Sequence, residues 1–142
     1  AGAGYTWTVP TFTLVNLKNR PTFESRWLTY APTIAGYSSN PTTTVYIYQV
    51  YRNNCRIAMR EGAAGTSNNT AHTYTAPFTA ATRTSMVWWG TSHSPMDNSV
   101  AIATGNGSIA SASASIAMIY GAAAWTASGS SRVQAFNIVY EI

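Results

Sequence analysis

Side chains able to do covalent or acid–base chemistry are few in this chain. The carboxylates are Glu24, Glu61, Asp97 and Glu141. Glycoside hydrolysis needs two carboxylates flanking one bond at a set separation. Glu61 precedes a glycine loop and Glu141 is one residue from the last, and the sequence singles out no such pair. Nucleophilic catalysis would have to pair Cys55 with His72 or His93. Cys55 alternates with Ile57 and Met59 on an apolar face, where a cysteine reads as a small buried hydrophobe. His93 and Asp97 form the one local pair of metal-ligating type, and two ligands in one segment read more simply as solvated loop residues than as a metal site. Gly105-Asn106-Gly107 has neither the rest of a phosphate-binding fingerprint nor a following helix, and reads as a hairpin turn. The sequence therefore points to no catalytic residue, no metal and no cofactor, and the chain is not expected to be an enzyme.

A binding site has more to draw on. Trp88 and Trp89 are adjacent, so on a strand they face opposite ways. One is expected in the core, and the other must meet solvent, a ligand or a partner subunit. Aromatic rings stack on flat apolar ligand faces and anchor protein interfaces. The segment Thr91 to Asn98 follows directly and supplies His93, Asp97 and Asn98 as hydrogen-bonding groups. Trp88, Trp89, His93 and Asp97 are therefore the candidate ligand or receptor residues. The competing reading places the outward Trp in a subunit interface or a second core.

Composition limits the kind of protein that carries these residues. Of the 142 residues 46% are hydrophobic and 8% charged, the reverse of a disordered chain. Glu, Lys, Leu and Arg are too scarce for a coiled coil. Cys55 is alone, so there is no disulfide framework. Apolar runs are too short and too interrupted for a spanning helix, and membrane insertion is not expected. The net charge is +4, but the basic residues are scattered over the sequence. Arg56 and Arg60 would line one solvated sheet face, a simpler reading than a nucleic-acid site. Seven of the eight basic residues are Arg, which suits subunit contacts. The opening Ala1-Gly2-Ala3-Gly4 has no charged or apolar region of signal-peptide type.

The elements that must position these groups read as strands: runs of Val, Ile, Tyr, Thr and Trp bounded by Gly, Pro, Asn and Ser. Strands are expected over Tyr5–Leu17 (interrupted at Pro10), Glu24–Tyr30, Thr43–Tyr51, Cys55–Arg60, Thr70–Phe78, Ser85–Gly90, Ser99–Thr104, Gly107–Ala112, Ser115–Tyr120 and Arg132–Ile142. Gly62–Asn69 and Thr91–Asn98 are expected as loops. Arg52-Asn53-Asn54 closes a hairpin in which Cys55, Ile57 and Met59 point inward and Arg56, Ala58 and Arg60 outward. About eight to ten short strands separated by regular turns predict an all-β fold, an antiparallel β-sandwich of jelly-roll-like type. A single domain is expected over 1–142, with residues 1–20 as an N-terminal arm or added strand.

Several pieces resemble the C-terminal β-sandwich domains of phage tail-fibre and related virion structural proteins. They are Tyr46-Ile47-Tyr48-Gln49-Val50, Thr75-Ala76-Pro77-Phe78, the Trp125-Thr126-Ala127-Ser128-Gly129 turn and the closing Arg132–Tyr140 segment. The resemblance implies a non-catalytic domain of a virus particle, an extracellular particle component, commonly homotrimeric. It carries over no binding residue. The expected partners are copies of the chain itself and a host-surface glycan or receptor, with no nucleic acid. Two other functions suit the same fold: a free carbohydrate-binding lectin, and a capsid or filament subunit connected through its N-terminal arm.

Overall fold

The structure is a computed structural model, and it describes residues 26–68, 71–93, 95–102, 104–119 and 125–142. The expected strand at Tyr5–Leu17 and the expected arm over residues 1–20 lie outside these residues. The described chain is all-β and antiparallel. The longest elements are β4 (Thr42–Tyr51), β5 (Asn54–Ala63), β8 (Val87–His93), β11 (Thr104–Ala110) and β14 (Ala135–Glu141). Between them lie β1 (Leu28–Thr29), β2 (Ile34–Ala35), β3 (Tyr37–Ser39), β6 (Gly65–Ser67), β7 (His72–Thr75), β9 (Met96–Asp97), β10 (Val100–Ala101), β12 (Ser115–Ile119) and β13 (Ser130–Ser131).

Nine strands form one sheet in the order β1-β4-β5-β14-β8-β11-β12-β7-β2. The sheet curls, so that β4 near one end meets β7 near the other. Tyr46 on β4 and Tyr74 on β7 lie with ring centroids 6.2 Å apart inside the curl. A second sheet, β13-β6-β3, continues the same chain segments, and β9 pairs with β10. The result is the sandwich-like antiparallel fold that the strand pattern predicts.

The β4–β5 hairpin shows why the chain folds this way. Cys55, Ile57 and Met59 are buried while Asn54, Arg56 and Arg60 are exposed, the period-two alternation of a strand with one face inside. Its two-residue turn places Arg52 at φ 54°. On the other side of β5, strand β14 sets Ile138 against Ile57, Phe136 against Met59 and Tyr140 against Cys55. These six side chains are the centre of the core.

Several loop boundaries differ from expectation. The described part of Gly62–Asn69 is mostly strand and not loop: β5 runs to Ala63 and β6 follows after one residue. Thr91–His93 completes β8, and Met96–Asp97 is a strand of its own. Gly105 and Asn106 form no turn, because they sit inside β11. The reason lies at the neighbouring glycine. Gly107 stands opposite Gly90 across β11 and β8. A Cβ on Gly107 would come 2.6 Å from the Phe136 ring, and one on Gly90 would come 2.7 Å from it. These glycines provide room for the ring and do not break the strand. The nearby hairpin turn is instead Asn98-Ser99 between β9 and β10, with both residues in the left-handed region at φ 48° and 64°.

Candidate functional site

The polar residues with chemical potential fall into two groups, one inside the curled sheet and one on its outer face. Inside, Glu61 is 1% exposed. It continues the inward row Cys55, Ile57, Met59 by one more step of two residues. The Tyr74 hydroxyl donates to its Oε1 at 2.7 Å, and the Tyr46 hydroxyl to the same oxygen at 3.1 Å. Oε2 accepts the backbone N–H of Val133 at 2.6 Å and the Tyr37 hydroxyl at 3.3 Å. Burial pushes the Glu61 carboxyl above its usual range, and the Val133 N–H and the three phenols oppose that rise. Burial also raises Tyr37, Tyr46 and Tyr74 well above the ordinary phenol range, and the Glu61 charge adds to it. Both carboxylate oxygens are occupied and shielded from water, so this cluster ties β3, β4, β5 and β7 together rather than meeting a substrate.

His72 is fully buried beside it. Its ring lies between Tyr37 and Trp125, with centroids 3.9 Å from each. Nε2 is 3.3 Å from the Ser67 hydroxyl. Burial lowers its pKa to about 4, against a partial opposing pull from the Asp97 charge, so the ring is neutral at neutral pH. Cys55 is likewise buried, and burial pushes its thiol up, away from the nucleophilic thiolate.

The four candidate ligand residues are dispersed by the fold. Asp97 is buried, and its carboxylate accepts the Thr126 N–H at 3.1 Å, the Thr126 hydroxyl at 2.7 Å and the Ser131 hydroxyl at 2.8 Å. It anchors the Trp125–Gly129 turn to β9 and β13. His93 is the last residue of β8, where its backbone pairs with Thr104 and Ala135. The two tryptophans divide as adjacent strand residues must. Trp88 is half-buried and packs against the core, and Trp89 is 62% exposed on the outer face. Among the described residues, no three His, Cys, Asp or Glu side chains converge as a metal site. Nor is any described helix long and apolar enough to cross a membrane.

The outer face holds the second group. Trp89 borders a depression of about 320 Å³ lined also by Arg56, Thr91, Asn137 and Val139. Registers explain the grouping: Val139 stands opposite Arg56 across β14 and β5, and Asn137 stands opposite Thr91 across β14 and β8. Trp27, just before β1, places its ring centroid 5.4 Å from the Arg56 guanidinium carbon, within cation–π range. Trp27, Val139 and Trp89 all remain exposed. Aromatic faces, one guanidinium, an amide and a hydroxyl thus share one open surface. The sequence locates Trp89 but not Arg56, Thr91 or Asn137 as its neighbours. Their outward parity on the strands is readable, while the strand order that joins them is not.

No family model, no curated protein and no solved structure matches this chain.

Proposed function

We propose that this is a non-catalytic attachment domain that holds a carbohydrate ligand on the outer sheet face at Trp89, within a virus particle built from copies of the chain. One observation carries the site: a tryptophan 62% exposed beside a depression lined with a guanidinium, an amide and a hydroxyl. Sugars present an apolar C–H face for an aromatic ring and an edge of hydroxyls for polar groups, and that combination is what the depression offers. The particle setting rests on the tail-fibre resemblance. Self-association is favoured by the surface as a whole. Val45, Met86, Val100 and Ile119 are also exposed, on a chain with only 8% charged residues.

A glycan array probed with the wild type and with Trp89→Ala tests the site. The expected result is binding by the wild type, loss in the variant and an unchanged melting temperature. Trp88→Ala should instead lower the melting temperature, because that ring packs on the core. An array without any hit, or one that Trp89→Ala leaves intact, overturns the site. Light scattering tests the assembly: a trimer or larger species is expected, and a monomer at micromolar concentration overturns it.

A further inference from the structure

Resting on the carbohydrate reading of the Trp89 site, we infer that its ligand is an acidic glycan, one bearing a carboxylate or a sulfate. The protein's own described acids are already committed. Glu61 is buried under three tyrosines, Asp97 is held by Thr126 and Ser131, and Glu141 is ion-paired with Arg83. Every described carboxylate side chain is therefore engaged. The outer face of β5 nevertheless presents Arg56 and Arg60, both exposed, and neither is ion-paired among the described residues. The described side chains of a second copy offer no unengaged carboxylate to meet them. Among the described residues, then, these two arginines have no ion-pair partner, and a ligand on this face can supply the complementary charge.

Geometry then narrows the class. Arg56 lines the same depression as Trp89, so a ligand stacked on the indole places its substituents within reach of the guanidinium. Arg binds planar oxyanions through paired N–H donors, and the Trp27 ring lies within cation–π range of the Arg56 guanidinium. Asn137 and Thr91 add an amide and a hydroxyl suited to sugar hydroxyls. Single-stranded nucleic acid needs a basic groove that tracks a phosphate backbone. Two arginines four residues apart on one strand, separated by about 13 Å at strand rise, do not form such a track.

The test uses matched pairs, titrated against the protein and followed by tryptophan fluorescence: sialyllactose with lactose, oligogalacturonate with its methyl ester, and chondroitin sulfate with desulfated chondroitin. At low salt the acidic member of at least one pair is expected to bind about tenfold more tightly, the scale of a charge-assisted hydrogen bond. That advantage should shrink in about 0.5 M NaCl. Arg56→Gln should bring the acidic member to the affinity of its neutral parent, whereas Trp89→Ala should weaken both. Should Arg56→Gln lower the melting temperature, Arg56→Lys keeps the positive charge and should keep part of the preference for the acidic member, and loss of all of it at full stability overturns a charge-based preference. Equal binding of both members of every pair overturns the acidic-ligand inference and leaves the carbohydrate site standing. No binding to any of these glycans or to an array overturns both. Tight binding of an oligothymidylate with the same dependence on Trp89 and Arg56 assigns the face to nucleic acid and also overturns the inference.

Discussion

The Tyr74 hydroxyl donates to Glu61 Oε1 at 2.7 Å, joining strands that are second from opposite sides of the curl through β4's Tyr46 on the same oxygen. The carboxylate is the point on which the two walls of the fold agree. Tyr74→Phe removes one charge-assisted donor from a buried acceptor and should cost about 1.5–3 kcal/mol in denaturant unfolding. A variant as stable as the wild type would mean that Tyr46 and Val133 suffice.

Glu61 also gives a pH signature. Its folded pKa is raised from 4.5, so its contribution is present below that value and is lost as pH rises through the folded one. Glu61→Gln abolishes this titration. Its stability deficit relative to the wild type should be largest in acid and narrow toward neutral pH. A deficit that widens with pH would show that the hydrogen bonds to the carboxylate outweigh its burial.

His72 acts with the opposite sign. Its pKa falls from 6.5 to about 4, so its contribution is present above 6.5 and is lost as pH drops through about 4. His72→Phe keeps a ring between Tyr37 and Trp125 and removes the proton. The wild type should lose stability between those two pH values, and the variant should show a flatter acid limb over the same window. Parallel limbs would rule out His72 as the source.

Asp97 separates anchoring from binding. Asp97→Asn replaces one acceptor by a donor facing Thr126 or Ser131 and should cost about 1–3 kcal/mol. Glycan affinity at Trp89 should be unchanged. Loss of binding with an unchanged melting temperature would instead make Asp97 a ligand residue.

Gly107→Ala drives a methyl group into the Phe136 ring and should cost about 2–3 kcal/mol. Adding Phe136→Leu should recover part of that loss, so that the double variant costs less than the sum of the singles. Strict additivity would mean that the ring and the glycine do not meet.

The strands that could be read from the sequence are those whose alternation is complete in one segment. The β4–β5 hairpin and the closing β14 show it, because Cys55, Ile57, Met59 and Phe136, Ile138, Tyr140 recur every second residue and face the core. The outward Trp of the 88–89 pair was legible as an alternative, and packing of Trp88 on the core decides it. Glu61 was legible in position but not in role. It shares the parity of Met59, yet a carboxylate seldom occupies a core position without partners, and those partners are distant in sequence. Gly105-Asn106-Gly107 misleads because glycine serves both turns and close packing, and the neighbours that distinguish them, Pro95 at Gly105 and Phe136 at Gly107, lie elsewhere in the sequence. Asp97 reads as a loop ligand for a related reason: Thr126 and Ser131, which hold it, lie about thirty residues on.

The notch of Gly90 and Gly107 has a meaning beyond the core. Phe136 fits it as a key fits a lock, and a slip of β14 by one residue would present Asn137 to the notch and turn the ring toward water. The key lies on the inner surface, yet it fixes how Asn137 and Val139 stand beside Trp89 on the outer one. The interior thus acts as a vernier for the exterior: outward residues of β5, β8 and β14 can be exchanged to suit another ligand while their spacing stays calibrated by a single phenyl ring.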